Sequence, residues 1–258
     1  MKLAIIGVGN MGGAIAKGIA SQKIEGVSQI IISNRSTDKL SNLKEAYPHL
    51  QIVEKFQEAV SLADLIIFAV KPWVMQPILT SLKFEPHQIV ASVAAGISFN
   101  QLNLWVKGTS KFYRIIPNTA IMHQASMNVL SAYNTSKEED SLLLSIFNHL
   151  GSSMLIPESK MEAATSISSC GIAYLFKYIQ ASMQAGIELG LTPEEAIQLT
   201  AQAAIGAGTV FLKNPQTHPA VEINRVSTPG GLTIKGINEL DKQGFPTAII
   251  EAIKKSLK

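Results

Sequence analysis

The N-terminal 20 residues constrain the fold more than any other part of the chain. An apolar run that ends at Ile6 is followed by glycines in the spacing G-x-G-x-x-G and then by a segment with helical periodicity. Gly7 permits a tight turn, Gly9 has no side chain to hold a pyrophosphate away from the backbone, and Gly12 lets a helix pack close to a strand. A strand, a glycine turn and a helix in this order indicate a dinucleotide site with the phosphates at the helix N-terminus. The alternative is a glycine turn with a purely structural role.

Further apolar segments alternate with helical ones as far as residue 156. The predicted strands are residues 29–33, 51–54, 65–70, 88–95, 112–118, 127–132 and 153–156. Most are apolar on both faces, which is typical of a parallel sheet covered by helices. We therefore predict an α/β fold whose N-terminal part is a Rossmann-type, doubly wound, mostly parallel sheet.

From Pro157 onward only helical patterns occur. An apolar stripe follows residues 171–189, and Thr192-Pro193-Glu194-Glu195 has the form of a capping box that starts a second long helix. Because about 100 residues of mostly apolar helix form a thin core, we predict that two copies pair through this region. The predicted domains are a dinucleotide-binding Rossmann-like domain over residues 1–156 and an all-helical substrate and dimerisation domain over residues 157–258.

Composition argues against several other functions. The net charge of +3 is small and scattered, so no nucleic-acid partner is expected. The longest uncharged segments carry polar residues and glycines, so no membrane span is expected either. The single cysteine, Cys170, excludes an internal disulfide framework, and His123 and His218 lack metal-ligand spacing. The N-terminal apolar run is too short for a signal-peptide core, so the expected location is cytoplasmic.

Asn34-Arg35-Ser36 follows the second predicted strand, where a cofactor ribose normally meets the protein. An acidic residue there would bind the ribose hydroxyls and repel a 2′-phosphate, whereas the planar donors of an arginine match a phosphate. The sequence therefore predicts NADP, with NADPH preferred and NADH as the alternative. The structural alternative is an arginine that only solvates a loop. Lys71 and Asn118, at later strand ends, are either ligand contacts or loop anchors.

A second candidate site lies in the hydroxyl-rich and glycine-rich stretch at residues 226–236, which precedes a predicted helix over residues 233–240. Backbone N–H groups at such a helix start can bind a small carboxylate by the physics that holds a phosphate. The alternative from the residues alone is that Thr233 is a helix N-cap and Pro229-Gly230-Gly231 a turn.

Several motifs together resemble pyrroline-5-carboxylate reductases, over essentially the whole chain. They are the opening glycine turn and residues 68–72, 92–97, 114–119 and 228–233. The last is the most specific, because the family reads V-[ST]-S-P-G-G-[TA]-T there and this chain departs only at Thr228 and Leu232. The resemblance implies reduction of 1-pyrroline-5-carboxylate to L-proline by NAD(P)H, the last step of proline biosynthesis.

The resemblance also implies residue roles. Thr233 would donate its hydroxyl to the imine nitrogen as the catalytic proton donor or relay, and Thr228, Gly230 and Gly231 would bind the substrate carboxylate. The implied cofactor contacts are Gly7, Gly9, Asn10, Met11, Gly12, Asn34, Arg35, Ser36, Ala69, Val70, Lys71, Pro72, Ala94 and Asn118. In the family the dinucleotide domain of one subunit meets the helical domain of its homodimer partner, and several members assemble dimers into decamers.

This chain departs from the family at the start of the long helix. Where the family reads S-G-S-G-P-A-Y, the segment from Ser168 to Tyr174 reads S-S-C-G-I-A-Y, and Gln180 stands in place of the usual glutamate. The loss of a carboxylate changes the local charge, and the loss of proline removes a fixed φ at the helix start. Two alternatives stay open: a non-catalytic NADP-binding paralogue with a sensing or regulatory role, and a related reductase of another cyclic imine or of a 3-hydroxy acid.

Overall fold

A computed structural model describes residues 1–257 and divides the chain into two compact units. The first runs from Met1 to Ser169 and contains a β-sheet with helices on both faces. The second begins at Cys170 and consists of helices. No helix in residues 1–257 is long and apolar enough to cross a membrane.

The first unit is built on an eight-stranded sheet. The strands are β1 (Lys2–Ile6), β2 (Gln29–Ser33), β3 (Gln51–Ile52), β4 (Leu65–Phe68), β5 (Ile89–Ser92), β6 (Lys111–Ile116), β7 (Ser126–Tyr133) and β8 (Gly151–Leu155). Their order is β3-β2-β1-β4-β5-β6-β7-β8, and only the β6–β7 pair is antiparallel. From β1 the chain first adds β2 and β3 on one side of the sheet and then returns to add β4 on the other side of β1. Such sheets bind their ligands at this point of reversal. The predicted mostly parallel, doubly wound sheet is confirmed.

The helices fall into two sets. The first unit contains α1 (Asn10–Ala20), α2 (Thr37–Ala46), α3 (Phe56–Ser61), α4 (Pro72–Ser81), α5 (Phe99–Trp105), α6 (Lys137–Asn148) and α7 (Met161–Ala164). The second contains α8 (Gly171–Glu188), α9 (Pro193–Lys213), α10 (Pro219–Val226), α11 (Leu232–Lys242) and α12 (Phe245–Lys255). Short 3₁₀ turns at Thr119–His123 and Glu158–Lys160, and a π-helical stretch at Thr165–Cys170, join some of them.

Alternate residues of the central strands supply two cores, one on each face of the sheet. Leu3 and Ile5 pack with the cluster that includes α1 and α6, while Ala4 and Ile6 pack with the cluster that includes α4 and α5. This two-residue alternation is the side-chain period of a strand, and burial on both faces explains why the strands read as continuous apolar runs. The double-sided core holds the ends of the central strands in place.

The segment after β8 packs back onto the sheet. Met161 is fully buried and forms a small cluster with Ile116 of β6 and Val129 of β7. As a result the first compact unit extends to Ser169, beyond the boundary at 156/157 predicted from the sequence, which rested on the change to helical patterns. Within residues 157–257 no strand occurs. The domain boundary at 156/157 stays a prediction.

The second unit leaves much apolar surface exposed. α8 and α9 approach closely at Gly186, where a Cβ atom would lie 2.7 Å from the Cβ of Ala196. Gly186 and Ala196 are the only buried residues among those described from Cys170 onward. Phe176 is 56% exposed, Leu212 80% and Leu232 85%. Exposed apolar surface of this extent is typical of a surface that pairs with another chain.

Candidate active site

The turn between β1 and α1 has a geometry that depends on its glycines. Gly7 has φ +93°, and a Cβ atom there would lie 2.7 Å from Cγ1 of Val70. At Gly12 a Cβ atom would lie only 1.9 Å from the carbonyl oxygen of Gly7. A Cβ atom at Gly9 would meet nothing within 4 Å, so the surface over the helix start is open. The sequence assigned the tight turn to Gly7 and the close packing to Gly12, and the approach of a pyrophosphate over Gly9 stays a prediction.

The N-terminus of α1 can receive an anion. Gly9 is its N-cap and supplies no side-chain hydrogen bond. The N–H groups of the first turn, including that of Met11, have no acceptor within the helix and carry its positive dipole end. An open approach over Gly9 and uncapped donors behind it fit the pyrophosphate of a dinucleotide.

Hydrogen bonds join the end of β2 to the glycine turn. The N–H of Gly7 donates to the carbonyl oxygen of Ser33 at 2.8 Å, and the N–H of Val8 donates to Oδ1 of Asn34 at 3.1 Å. Asn34 is thus engaged in holding the turn. Arg35 beside it is exposed and forms no ion pair within residues 1–257. Its guanidinium is therefore available to an anionic ligand.

The end of β4 lies against the same turn. The N–H of Ala69 donates to the carbonyl oxygen of Ile6 at 2.9 Å, and Val70 fills the space beside Gly7. Lys71 is the N-cap of α4, and its Nζ lies 5.9 Å from the centre of the Trp73 ring. Lys71 therefore lies two residues after Ala69, which packs against the glycine turn.

Ala94 and Asn118 follow β5 and β6 at the same edge of the sheet. Ala94 is buried, and its N–H donates to Oγ of Ser92 at 3.2 Å. Asn118 is also buried: its Oδ1 accepts from the N–H of Ala120 at 3.0 Å, and its Nδ2 donates to the carbonyl oxygen of Ser168 at 3.3 Å. This geometry favours the loop-anchor interpretation of Asn118 over a direct contact with a ligand.

The second candidate site is a turn followed by α11. Gly230 has φ +69°, and the N–H of Gly231 donates to the carbonyl oxygen of Thr228 at 2.9 Å, as in a type II turn with Pro229 at its second position. Gly231 is the N-cap of α11 and offers no side-chain hydrogen bond. Thr233 is the second residue of that helix, so the alternative in which Thr233 is the N-cap is wrong.

One of the predicted carboxylate donors already has an acceptor within the turn. The N–H of Gly231 is used inside the turn, which leaves the first-turn N–H groups of Leu232, Thr233 and Ile234 without an intrahelical acceptor. The hydroxyl-bearing side chain of Thr233 is exposed on this same turn. Leu232 and Ile234 were not named as donors from the sequence. The signal for them is the glycine N-cap, which has no side chain to accept hydrogen bonds from the first-turn N–H groups.

The segment that departs from the family pattern begins in the π-helical stretch Thr165–Cys170 and continues into the first turn of α8. Oγ1 of Thr165 donates to the carbonyl oxygen of Met161 at 2.6 Å, and Oγ of Ser168 donates to that of Ala164 at 2.7 Å. Hydroxyl bonds to backbone carbonyls bend helices, and π-helical turns are frequent at functional sites. Further along α8, Gln180 accepts from Nζ of Lys177 at 2.9 Å on an exposed face.

Comparisons with known proteins agree with this architecture. Residues 2–96 match a family model described as NADP oxidoreductase, coenzyme F420-dependent, and residues 158–258 match one described as pyrroline-5-carboxylate reductase dimerisation. Pyrroline-5-carboxylate reductase 1 of Dictyostelium discoideum is 34% identical over 97% of this chain, which spans 48% of that protein's length. Pyrroline-5-carboxylate reductase of Arabidopsis thaliana is 32% identical over 98% of this chain and 91% of its own length.

A solved relative carries the cofactor. The crystal structure of Plasmodium falciparum pyrroline carboxylate reductase with NADP bound has a TM-score of 0.87 and 25% identity, and the match covers 99% of this chain and 95% of that one. The glycine turn at the switch point of a parallel sheet, together with these matches, makes the chain a Rossmann-type NAD(P)H-dependent oxidoreductase. It belongs to the pyrroline-5-carboxylate reductase family.

Proposed function

We propose that this chain reduces 1-pyrroline-5-carboxylate to L-proline with NADPH, as the last step of proline biosynthesis in the cytoplasm. The observation that carries the proposal is similarity over 98% of the chain to a relative named for this activity. The alternatives of a non-catalytic sensor and of another cyclic-imine reductase gain no support from the relatives described above.

The first unit would hold the cofactor. The uncapped start of α1, reached over Gly9, binds the pyrophosphate, and Arg35 binds the 2′-phosphate. Lys71, on the adjoining strand end, adds a positive charge beside the phosphates. Once bound, NADPH supplies the hydride that reduces the C=N carbon of the substrate. The protein contributes position and charge to this step.

The second unit would hold the substrate. The first-turn N–H groups of α11 and the positive end of its dipole bind the carboxylate, with Thr228 and Gly230 in the preceding turn. The hydroxyl of Thr233 then donates to the ring nitrogen and supplies or relays the proton that the product amine needs. The N–H of Gly231 is hydrogen-bonded within the turn. Gly231 therefore positions the loop, and the neighbouring N–H groups bind the carboxylate.

A homodimer built through the helical unit is the proposed assembly. Support comes from the dimerisation family model over residues 158–258 and from the exposed apolar side chains of α8 to α12. A decamer of such dimers is the larger alternative.

The direct test of the function is NADPH oxidation in the presence of 1-pyrroline-5-carboxylate, with proline identified as the product. We expect turnover that requires both compounds. Parallel reactions with other cyclic imines measure how far the altered Ser168 to Ile172 segment has changed the substrate range. Tight NADPH binding without turnover on any imine would instead favour the sensor.

Arg35→Ala should weaken NADPH binding by about 10- to 100-fold, since hydrogen bonds to a charged group contribute about 1.5–3 kcal/mol. NADH binding should change less than about twofold, because NADH lacks the 2′-phosphate that Arg35 would contact. Calorimetric titration with both cofactors measures this. The control is Lys39→Ala, which removes a positive charge from the exposed face of the adjoining helix α2. Equal losses for NADPH and NADH would exclude Arg35 from the 2′-phosphate site.

A further inference from the structure

Arg114 is a charged residue in the interior of the first unit. It lies on β6, is 7% exposed, and donates from Nη1 to Oε1 of Glu158 at 2.8 Å. Its Nε is buried and has no hydrogen-bond partner within residues 1–257. The side chain of Glu158 is 35% exposed, and a partly exposed ion pair contributes little to stability. The buried, unpartnered Nε of Arg114 lowers the contribution further. Stability alone therefore accounts poorly for this pair.

Glu158 bonds two separate parts of the chain through one atom. Its Oε1 accepts from Arg114 and also from the N–H of Phe99, at 2.7 Å. Phe99 is the first residue of α5, and Glu158 begins the segment that follows β8 and Pro157. This atom therefore links the segment after Pro157 both to a side chain of β6 and to the first backbone N–H of α5.

The loop that this contact restrains is residues 93–98, between β5 and α5. Two hydrogen bonds fix its first residues. The N–H of Val93 donates to the carbonyl oxygen of Phe68 at 3.1 Å, and the N–H of Ala94 donates to Oγ of Ser92. Its last residue, Ser98, forms a capping box with α5. The Glu158 contact at Phe99 is the only one of these restraints that joins the loop to the segment beyond β8.

We propose that Arg114 and Glu158 are positioning residues that set the conformation of the 93–98 loop for cofactor binding. The inference rests on the proposed cofactor site, to which Ala94 in this loop belongs. Fastening the loop to the segment after Pro157 preorganises it, so less order has to be gained when NADPH binds. The pair touches neither cofactor nor substrate in this scheme and acts through the loop.

The test is Glu158→Gln, which keeps the size of the side chain and removes the charge that holds Arg114. NADPH should bind about 5- to 20-fold more weakly, because a hydrogen bond to a charged group is replaced by a weaker one. kcat at saturating NADPH should stay within about twofold, because no group that contacts the reacting atoms is lost. Amide hydrogen exchange over residues 94–99 should be faster than in the wild type.

Glu139→Gln is a matched control. Like Glu158, Glu139 accepts hydrogen bonds from a basic side chain of β6 and from a backbone N–H at a helix start. The donors are Nζ of Lys111, at 2.6 Å, and the N–H of Ser136, at 2.8 Å. Lys111 is the first residue of β6, away from the strand ends that carry the cofactor loops. Glu139→Gln should leave NADPH affinity and loop exchange unchanged, even where its melting temperature falls as much as that of Glu158→Gln.

Equal NADPH affinities for the two variants, with exchange over residues 94–99 unchanged, would reduce the pair to a structural role and overturn the proposal. If Glu158→Gln does not fold, Glu158→Asp takes its place. It keeps the charge but is one methylene shorter, so it cannot hold both donors, and the same loss of NADPH affinity is expected. Binding is measured without substrate. Failure of the reductase assay is therefore read separately from failure of this proposal.

Discussion

A Gly12→Ala variant should bind NADPH about 10- to 100-fold more weakly than the wild type, because overpacking by one methyl group in a fixed site costs about 1–3 kcal/mol. The added Cβ would lie 1.9 Å from the carbonyl oxygen of Gly7 and 2.8 Å from the Cβ of Ala69. Neither is the end of a flexible side chain that could rotate away. α1 must therefore move off the turn, which disturbs the N–H groups that face the pyrophosphate. Calorimetric titration and a melting curve measure the two effects.

The neighbouring glycine provides the control. A Cβ atom at Gly13 would lie 3.6 Å from the carbonyl oxygen of Val8, an ordinary contact. Because alanine favours a helix by up to about 1 kcal/mol over glycine, Gly13→Ala should melt at the same or a higher temperature and bind NADPH within about threefold of the wild type. If the two variants bind NADPH equally well, the close approach at Gly12 does not shape the cofactor site.

The features predicted correctly from the sequence have local causes. The β1 turn needs glycine at Gly7, which has a positive φ, and at Gly12, where α1 packs closely, as the spacing implies. The helix start at Thr192 was predicted from residues within one turn of each other, and it has a side-chain cap with a capping box. Burial on both sides made the central strands visible as apolar runs.

Some helices escaped prediction because their local signal is weak. α2 buries only Leu40 and Leu43 on a polar background. α4 begins at Pro72, as helices often do, but also contains Pro77 in its interior, which normally argues against a helix. Both helices are held by packing against the sheet. Tertiary contacts outweigh propensity at such positions.

The candidate site was less accessible to prediction than the fold. The turn at residues 228–231 was predicted, but the position of Thr233 depends on which residue is the N-cap of α11. Gly231 has that position and no capping side chain, so the sequence does not indicate it. The contact between Arg114 and Glu158 joins residues 44 positions apart. No local pattern indicates that two such charges meet, because the fold of the intervening strands brings them together.

Thr233→Ala should lower kcat for 1-pyrroline-5-carboxylate reduction by about 10- to 1,000-fold if the hydroxyl donates to the ring nitrogen. The fold should not suffer, because Thr233 is exposed on the first turn of α11 and alanine is the better helix former. A loss of activity can thus be separated from a loss of structure. Steady-state kinetics at saturating NADPH and a melting curve give both measurements.

Two further variants assign the effect to the hydroxyl group. Thr233→Ser keeps the donor and should retain most of the activity, whereas Thr233→Val keeps the shape without the donor and should behave like Thr233→Ala. NADPH affinity should be the same in all three, since no proposed cofactor contact is changed. An unaltered kcat in Thr233→Val would show that the proton reaches the ring nitrogen by another route. Thr233 would then be one more residue of the α11 first turn, and only the backbone N–H groups beside it would remain as the proposed carboxylate site.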